Sequence, residues 1–133
     1  MAEDIKPSDK DIKPSYVYRG RCVSVYDGDT MTVDIDLGFG VWMKKQKLRL
    51  YGINAPEVRG AQKVEGKISR DAVRAMAPDG CDLVIQSHKD SKGKYGRWLA
   101  TVYCMSKTNP DGPLMCINDA LVSRGLAVKA LYR

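Results

Sequence analysis

From Tyr16 onward the chain alternates. In "DTMTVDIDLG" Met31, Val33, Ile35 and Leu37 fall on one side of an extended strand, and Thr32, Asp34 and Asp36 fall on the other. The preceding "YVYRGRCVSVYDG" is rich in β-branched and aromatic residues and predicts a first strand. "GFG" at 38–40 reads as a hairpin turn into a long third strand, "VWMKKQKLRLYGI". "NAPE" ends that strand, because Pro56 has no amide hydrogen for a central ladder. The period then turns helical: Val64, Ile68, Ala72, Ala75 and Met76 recur at three- and four-residue steps until "PDG" at 78–80. "CDLVIQSH" predicts a fourth strand, "SKGKYG" a loop and "RWLATVYC" a fifth strand. After the "TNPDGP" turn, Leu114, Ile117 and Leu121 mark a final helix closed by Gly125. Five strands, with one helix after the third and another at the end, predict a small antiparallel barrel of the OB type, a β-barrel with helices in the α+β class.

The pattern sets the domain boundary. "DIKPS" occurs twice before Tyr16, at Asp4–Ser8 and Asp11–Ser15, in a polar stretch with no apolar period. Residues 1–15 are therefore expected to be a disordered arm, and residues 16–133 the folded domain. One domain of that size closes a core without disulfides. Each of the four cysteines lies in or beside an apolar segment, as buried thiols do. No CxxC pair occurs, and the lone His88 has no cysteine neighbour, which argues against zinc.

Charge narrows the choice of partner. The formal net charge is +6, while the side chains of residues 1–15 sum to −1, so the domain carries +7. A basic body favours a polyanion, with nucleic acid ahead of a membrane surface. Surplus surface lysine is the ordinary alternative. The start of the chain lacks a charged segment followed by an apolar run, and no window has membrane-spanning length. The chain as given is expected to be cytoplasmic and monomeric, without a membrane partner; a secreted longer precursor stays open.

Phosphodiester chemistry gives several otherwise ordinary residues a common purpose. Asp27 and Asp29 flank a glycine in "YDGDT"; DG is a common turn pair, and two carboxylates there also suit a hard cation. Arg49 on a strand and Arg97 in "KYGRW" are ordinary surface cations taken singly. Together they supply the forked donors that stabilise charge on phosphoryl oxygens. Glu57, just past Pro56, is a carboxylate able to orient or deprotonate an attacking water. His88 has no part in this scheme.

In this order the segments "DGDT", "RLYGINAPE", "KYGRWLATVY" and "INDALVSRGLA" resemble the staphylococcal nuclease family from about Tyr16 to Lys129. That resemblance implies an OB-fold, calcium-dependent endonuclease acting on DNA and RNA and leaving 3′-phosphate and 5′-hydroxyl ends. By position it implies catalytic roles for Arg49, Glu57 and Arg97. It implies calcium ligation by Asp29, with Asp27 supporting it, and by the backbone carbonyl of Ala55. Lys94 and Tyr95 match substrate-binding positions. Two departures stand out. Asn54 occupies the place of a second calcium aspartate and brings an oxygen without charge. The two tyrosines expected after "GLA" are replaced by Leu131 and Arg133, with Tyr132 between them as the remaining candidate for stacking. The leading alternative is a weak or inactive OB-fold module that binds nucleic acid without cleaving it; a protein-interaction scaffold ranks behind both.

Overall fold

Strand β1 (Val17–Asp27) turns through Gly28 and Asp29 into β2 (Thr30–Gly38), and the Phe39–Gly40 turn leads into β3 (Val41–Leu50). The computed structural model describes residues 13–92, 96–106 and 108–130. Only Lys13–Ser15 of the expected arm fall within that range, and they are exposed. After β3 come the short β4 (Ile53–Asn54), a 3-10 turn (Gly60–Gln62) and α1 (Lys63–Met76). The chain continues through β5 (Asp82–Lys92), β6 (Trp98–Cys104), β7 (Met115–Cys116), α2 (Ile117–Ser123) and β8 (Val128–Lys129).

The sheet order is β3-β2-β1-β5-β6-β7, and β3 also pairs with β6 to close the barrel. Every other pairing in this sheet is antiparallel, but the closing one is parallel, joining Leu48, Arg49 and Leu50 to Trp98, Leu99 and Ala100. The expected antiparallel barrel is thus a closed mixed barrel of five long strands with two helices, an OB fold. Met31, Val33, Leu48, Leu50, Ile85, Val102, Ile117 and Leu121 fill it and are essentially solvent-free. Burying such side chains contributes roughly 1.5–3 kcal/mol each.

Inside the wall, buried polar groups fix the seams. Asn118 of α2 accepts from Val102 N at 3.0 Å and donates to Tyr51 O at 2.9 Å and Ala100 O at 3.2 Å. One amide thereby ties the second helix to β6 and to the turn that follows β3. His88 stacks on Tyr51 with ring centroids 3.6 Å apart and shares a 2.8 Å hydrogen bond with Thr101 Oγ1. Its burial lowers the imidazole pKa, and its role is packing. All four cysteines are free thiols, and burial pushes Cys22 up to about 12.

Several expected faces are corrected. Leu37 is exposed, because the β2–β3 hairpin runs past the end of the core, and Asp34 is buried instead of facing water. The ladder slips between Val33 and Ile35, and there Asp34 accepts Lys45 N at 2.9 Å and pairs with Lys44 Nζ at 3.0 Å. In α1 the inward residues are Gly66, Ser69, Val73 and Met76, whereas Val64, Ile68 and Ala75 are exposed. The helix lies too close to the barrel for branched side chains at its first turns. The third strand stops at Leu50, where Tyr51 and Gly52 turn the chain, and α2 begins at Ile117, leaving Leu114 outside it and half exposed.

Candidate active site

Close packing of two glycines assembles the site. Gly28 sits where an added Cβ would lie 2.9 Å from the Cβ atoms of both Ala55 and Ser69. The Asp27–Gly28–Asp29 turn is therefore pressed against the "NAPE" turn and the inner face of α1. At Gly66 an added Cβ would run into the carbonyl oxygen of Glu57. Those contacts explain the small inner residues of α1: they let the helix hold the backbone that carries Glu57. From the same inner face Ser69 Oγ donates to Leu126 O at 2.7 Å, anchoring the segment after α2. Ile53 and Asn54 pair with Lys129 and Val128, so the Asn54 turn is fixed from two directions.

Asp29 is the hub. Its carboxylate accepts Ala55 N at 2.8 Å and Thr30 Oγ1 at 3.3 Å, and pairs with Arg49 Nη1 at 3.3 Å. Its own amide donates to Asp27 Oδ1 at 3.2 Å. Arg49, 8 % exposed, also donates to Leu50 O at 3.1 Å, Ile53 O at 3.0 Å and Asn54 Oδ1 at 3.2 Å. Asn54 and Asp29 thus meet through a single guanidinium, although they lie 25 positions apart in the chain. Burial and the facing Asp29 push the Asp27 carboxyl up to about 6. Two acids compelled to face each other form a spot that a cation would relieve.

Beside this hub opens a cleft of about 790 Å³. Glu57, Arg97, Asp27 and Thr30 line it, with Arg97 Nη1 donating to Thr30 Oγ1 at 3.3 Å. Glu57 is exposed and, among the described residues, forms no ion pair. Arg49 lies behind the wall, next to Asp29, and does not line the cleft. The remaining lining includes Lys47, Arg59, Lys67, Arg70 and Arg74, cations that the motif-based reading passed over. Their signal was available: Lys67, Arg70 and Arg74 stand at i, i+3 and i+7, one face of a helix. Lys94, Tyr95 and Tyr132 lie outside the described residues.

The sequence profile described as "Staphylococcal nuclease homologue" matches residues 47–133. The chain belongs to that family. The match begins in the last residues of β3 and takes in Arg49, Asn54, Glu57 and Arg97; it starts after Asp27 and Asp29, whose place in the site rests on the contacts above. No curated protein matches the chain. A staphylococcal nuclease fold suggests a nuclease and a nucleic-acid partner, and the basic cleft agrees in sign. Among the described residues no helix is long and apolar enough to cross a membrane.

The metal that the family implies can be tested against the donors present. Among the described residues no three His, Cys, Asp or Glu side chains gather closely enough to hold an ion. The oxygens at hand are those of Asp27, Asp29, the Asn54 amide and the Ala55 carbonyl. All are hard donors suited to calcium or magnesium; burial first, and then the neighbouring Asp29, raise the pKa of the Asp27 carboxyl. They fit a hard cation, with one carboxylate fewer than the pattern implied by the resemblance.

Proposed function

We propose that the protein is a metal-dependent endonuclease that hydrolyses phosphodiester bonds in DNA or RNA and leaves 3′-phosphate and 5′-hydroxyl ends. The observation that carries this is the placement of exposed Glu57 and half-buried Arg97 in one cation-lined cleft, directly against the Asp27–Asp29 hub. Glu57 accepts the proton of the attacking water from the cleft side. Arg97 donates hydrogen bonds to the phosphoryl oxygens, which gain charge as the water attacks. Arg49 adds positive charge from behind the wall and holds Asp29 and Asn54 in register. Asp29, Asn54 and the Ala55 carbonyl would hold calcium, with Asp27 supporting them. A bound calcium would supply Lewis-acid charge at the phosphate.

A second reading follows from Asn54: with Oδ1 engaged by Arg49 and no charge of its own, the site becomes a nucleic-acid-binding groove with little or no turnover. Incubating the purified protein with labelled DNA and RNA in calcium, magnesium or chelator separates the two. Metal-dependent cleavage giving 3′-phosphate ends supports the enzyme. Retention of the substrate without cleavage supports the binding module.

A further inference from the structure

We propose that Tyr26, Arg59, Lys67 and Arg70 form a subsite for a nucleotide flanking the scissile one, with the polynucleotide backbone lying along α1. The inference rests on the nucleic-acid reading above and specifies how the substrate is held. All four residues line the same cleft as Glu57 and Arg97. On β1 the alternation turns Val25 and Asp27 inward and Tyr26 outward, leaving that ring 52 % exposed. An isolated exposed tyrosine is unremarkable in itself. This one stands in a cleft whose lining, among the described residues, holds six Lys and Arg side chains against two carboxylates.

The two features recognise different parts of one ligand. A ring takes the face of an unpaired base, and the cations take the phosphates on either side. Helix geometry spreads the positive charge in the required way. From Lys67 to Arg70 the rise is about 4.5 Å along one helix face, so the two cations are spread along a strand and do not meet it at a single point. Arg74 is committed elsewhere: its Nε and Nη2 donate to Val25 O at 3.3 and 3.0 Å, which docks the helix beside Tyr26. Arg70 gives its Nε to Asp71 at 3.0 Å and keeps its terminal nitrogens for a ligand.

The test is fluorescence anisotropy with a labelled single-stranded deoxyoligonucleotide of about twelve residues, in chelator so that nothing is cut. Tyr26→Ala is expected to weaken binding about 5- to 100-fold, and Tyr26→Phe to stay close to the native protein. Lys67→Ala and Arg70→Ala should each weaken binding and lower the log-affinity against log-salt slope by roughly 0.7. Arg124→Ala, which removes an equal charge at the end of α2, should leave that slope alone. Native-like affinity in Tyr26→Ala and in both helix variants overturns the subsite, as does a native protein that binds no oligonucleotide. Equal losses in Tyr26→Phe and Tyr26→Ala also overturn it, since the ring would then not be the contact. If the losses appear as predicted but the native protein cuts nothing in calcium, the subsite stands and the nuclease reading alone fails.

Discussion

Replacing Asn54 by aspartate probes the metal site with a single atom. The amide oxygen lies 3.2 Å from Arg49 Nη2, and Arg49 in turn pairs with Asp29 at 3.3 Å. A carboxylate at 54 would therefore be held in place by the same guanidinium. Two unit charges about 4 Å apart interact by about 4 kcal/mol at an effective dielectric near 20, and by about 1 kcal/mol in water. A divalent ion doubles either figure. Asn54 is exposed, which moves the result toward the aqueous limit and keeps the desolvation cost of the new charge small. Repulsion from Asp29 and partial neutralisation by Arg49 subtract further. A net gain of about 1–3 kcal/mol remains, or about 5- to 150-fold in calcium affinity. Calorimetric titration of both proteins with calcium reads this directly, and activity at limiting calcium should rise in parallel. Equal affinities would refute the placement of residue 54 at the metal. Tight binding by the native protein would show that other oxygens make up the missing charge.

Three further outcomes are expected. Gly66→Ala drives a methyl group into the Glu57 carbonyl, so it should cost about 2–4 kcal/mol and lower turnover more than substrate affinity; thermal unfolding and steady-state kinetics check this. Asn118→Ala removes the side-chain acceptor of the buried Val102 N and should cost about 1–3 kcal/mol in urea unfolding, an effect on stability with cleavage intact in the folded fraction. Asp34 is held below its ordinary value first by the Lys45 amide and then by Lys44. Its contribution is therefore present above the ordinary aspartate value near 3.8 and is lost as pH falls through the lower folded-state value. The acid limb of a stability-versus-pH curve should flatten in Asp34→Asn.

What the sequence made legible divides along physical lines. The barrel strands were readable because alternation is a local signal, but the third strand ends at Leu50, before "NAPE", and Asn54 belongs to β4. Glu57 and Arg97 could be paired from motif order, and the structure brings both to one cleft. The inner face of α1 was misread because apolar spacing points to Val64 and Ile68, whereas contact distance selects Gly66 and Ser69. Close approach leaves no hydrophobic signature. The position of Arg49 behind the wall was illegible for a similar reason: its partner Asp29 lies in the β1–β2 turn, and only tertiary packing brings the two together. The parallel closure of β3 on β6 is likewise a long-range pairing with no local cue.

The most direct test of catalysis is single-turnover cleavage of a labelled oligonucleotide in saturating calcium, comparing the native protein with Glu57→Gln. Glu57 is exposed in the cleft, so the amide should leave folding and binding nearly unchanged while removing the group that takes the proton. A fall in rate of at least ~10²-fold with native affinity is expected. Cleavage at the native rate would contradict the role of Glu57 and, with it, the proposed hydrolytic site.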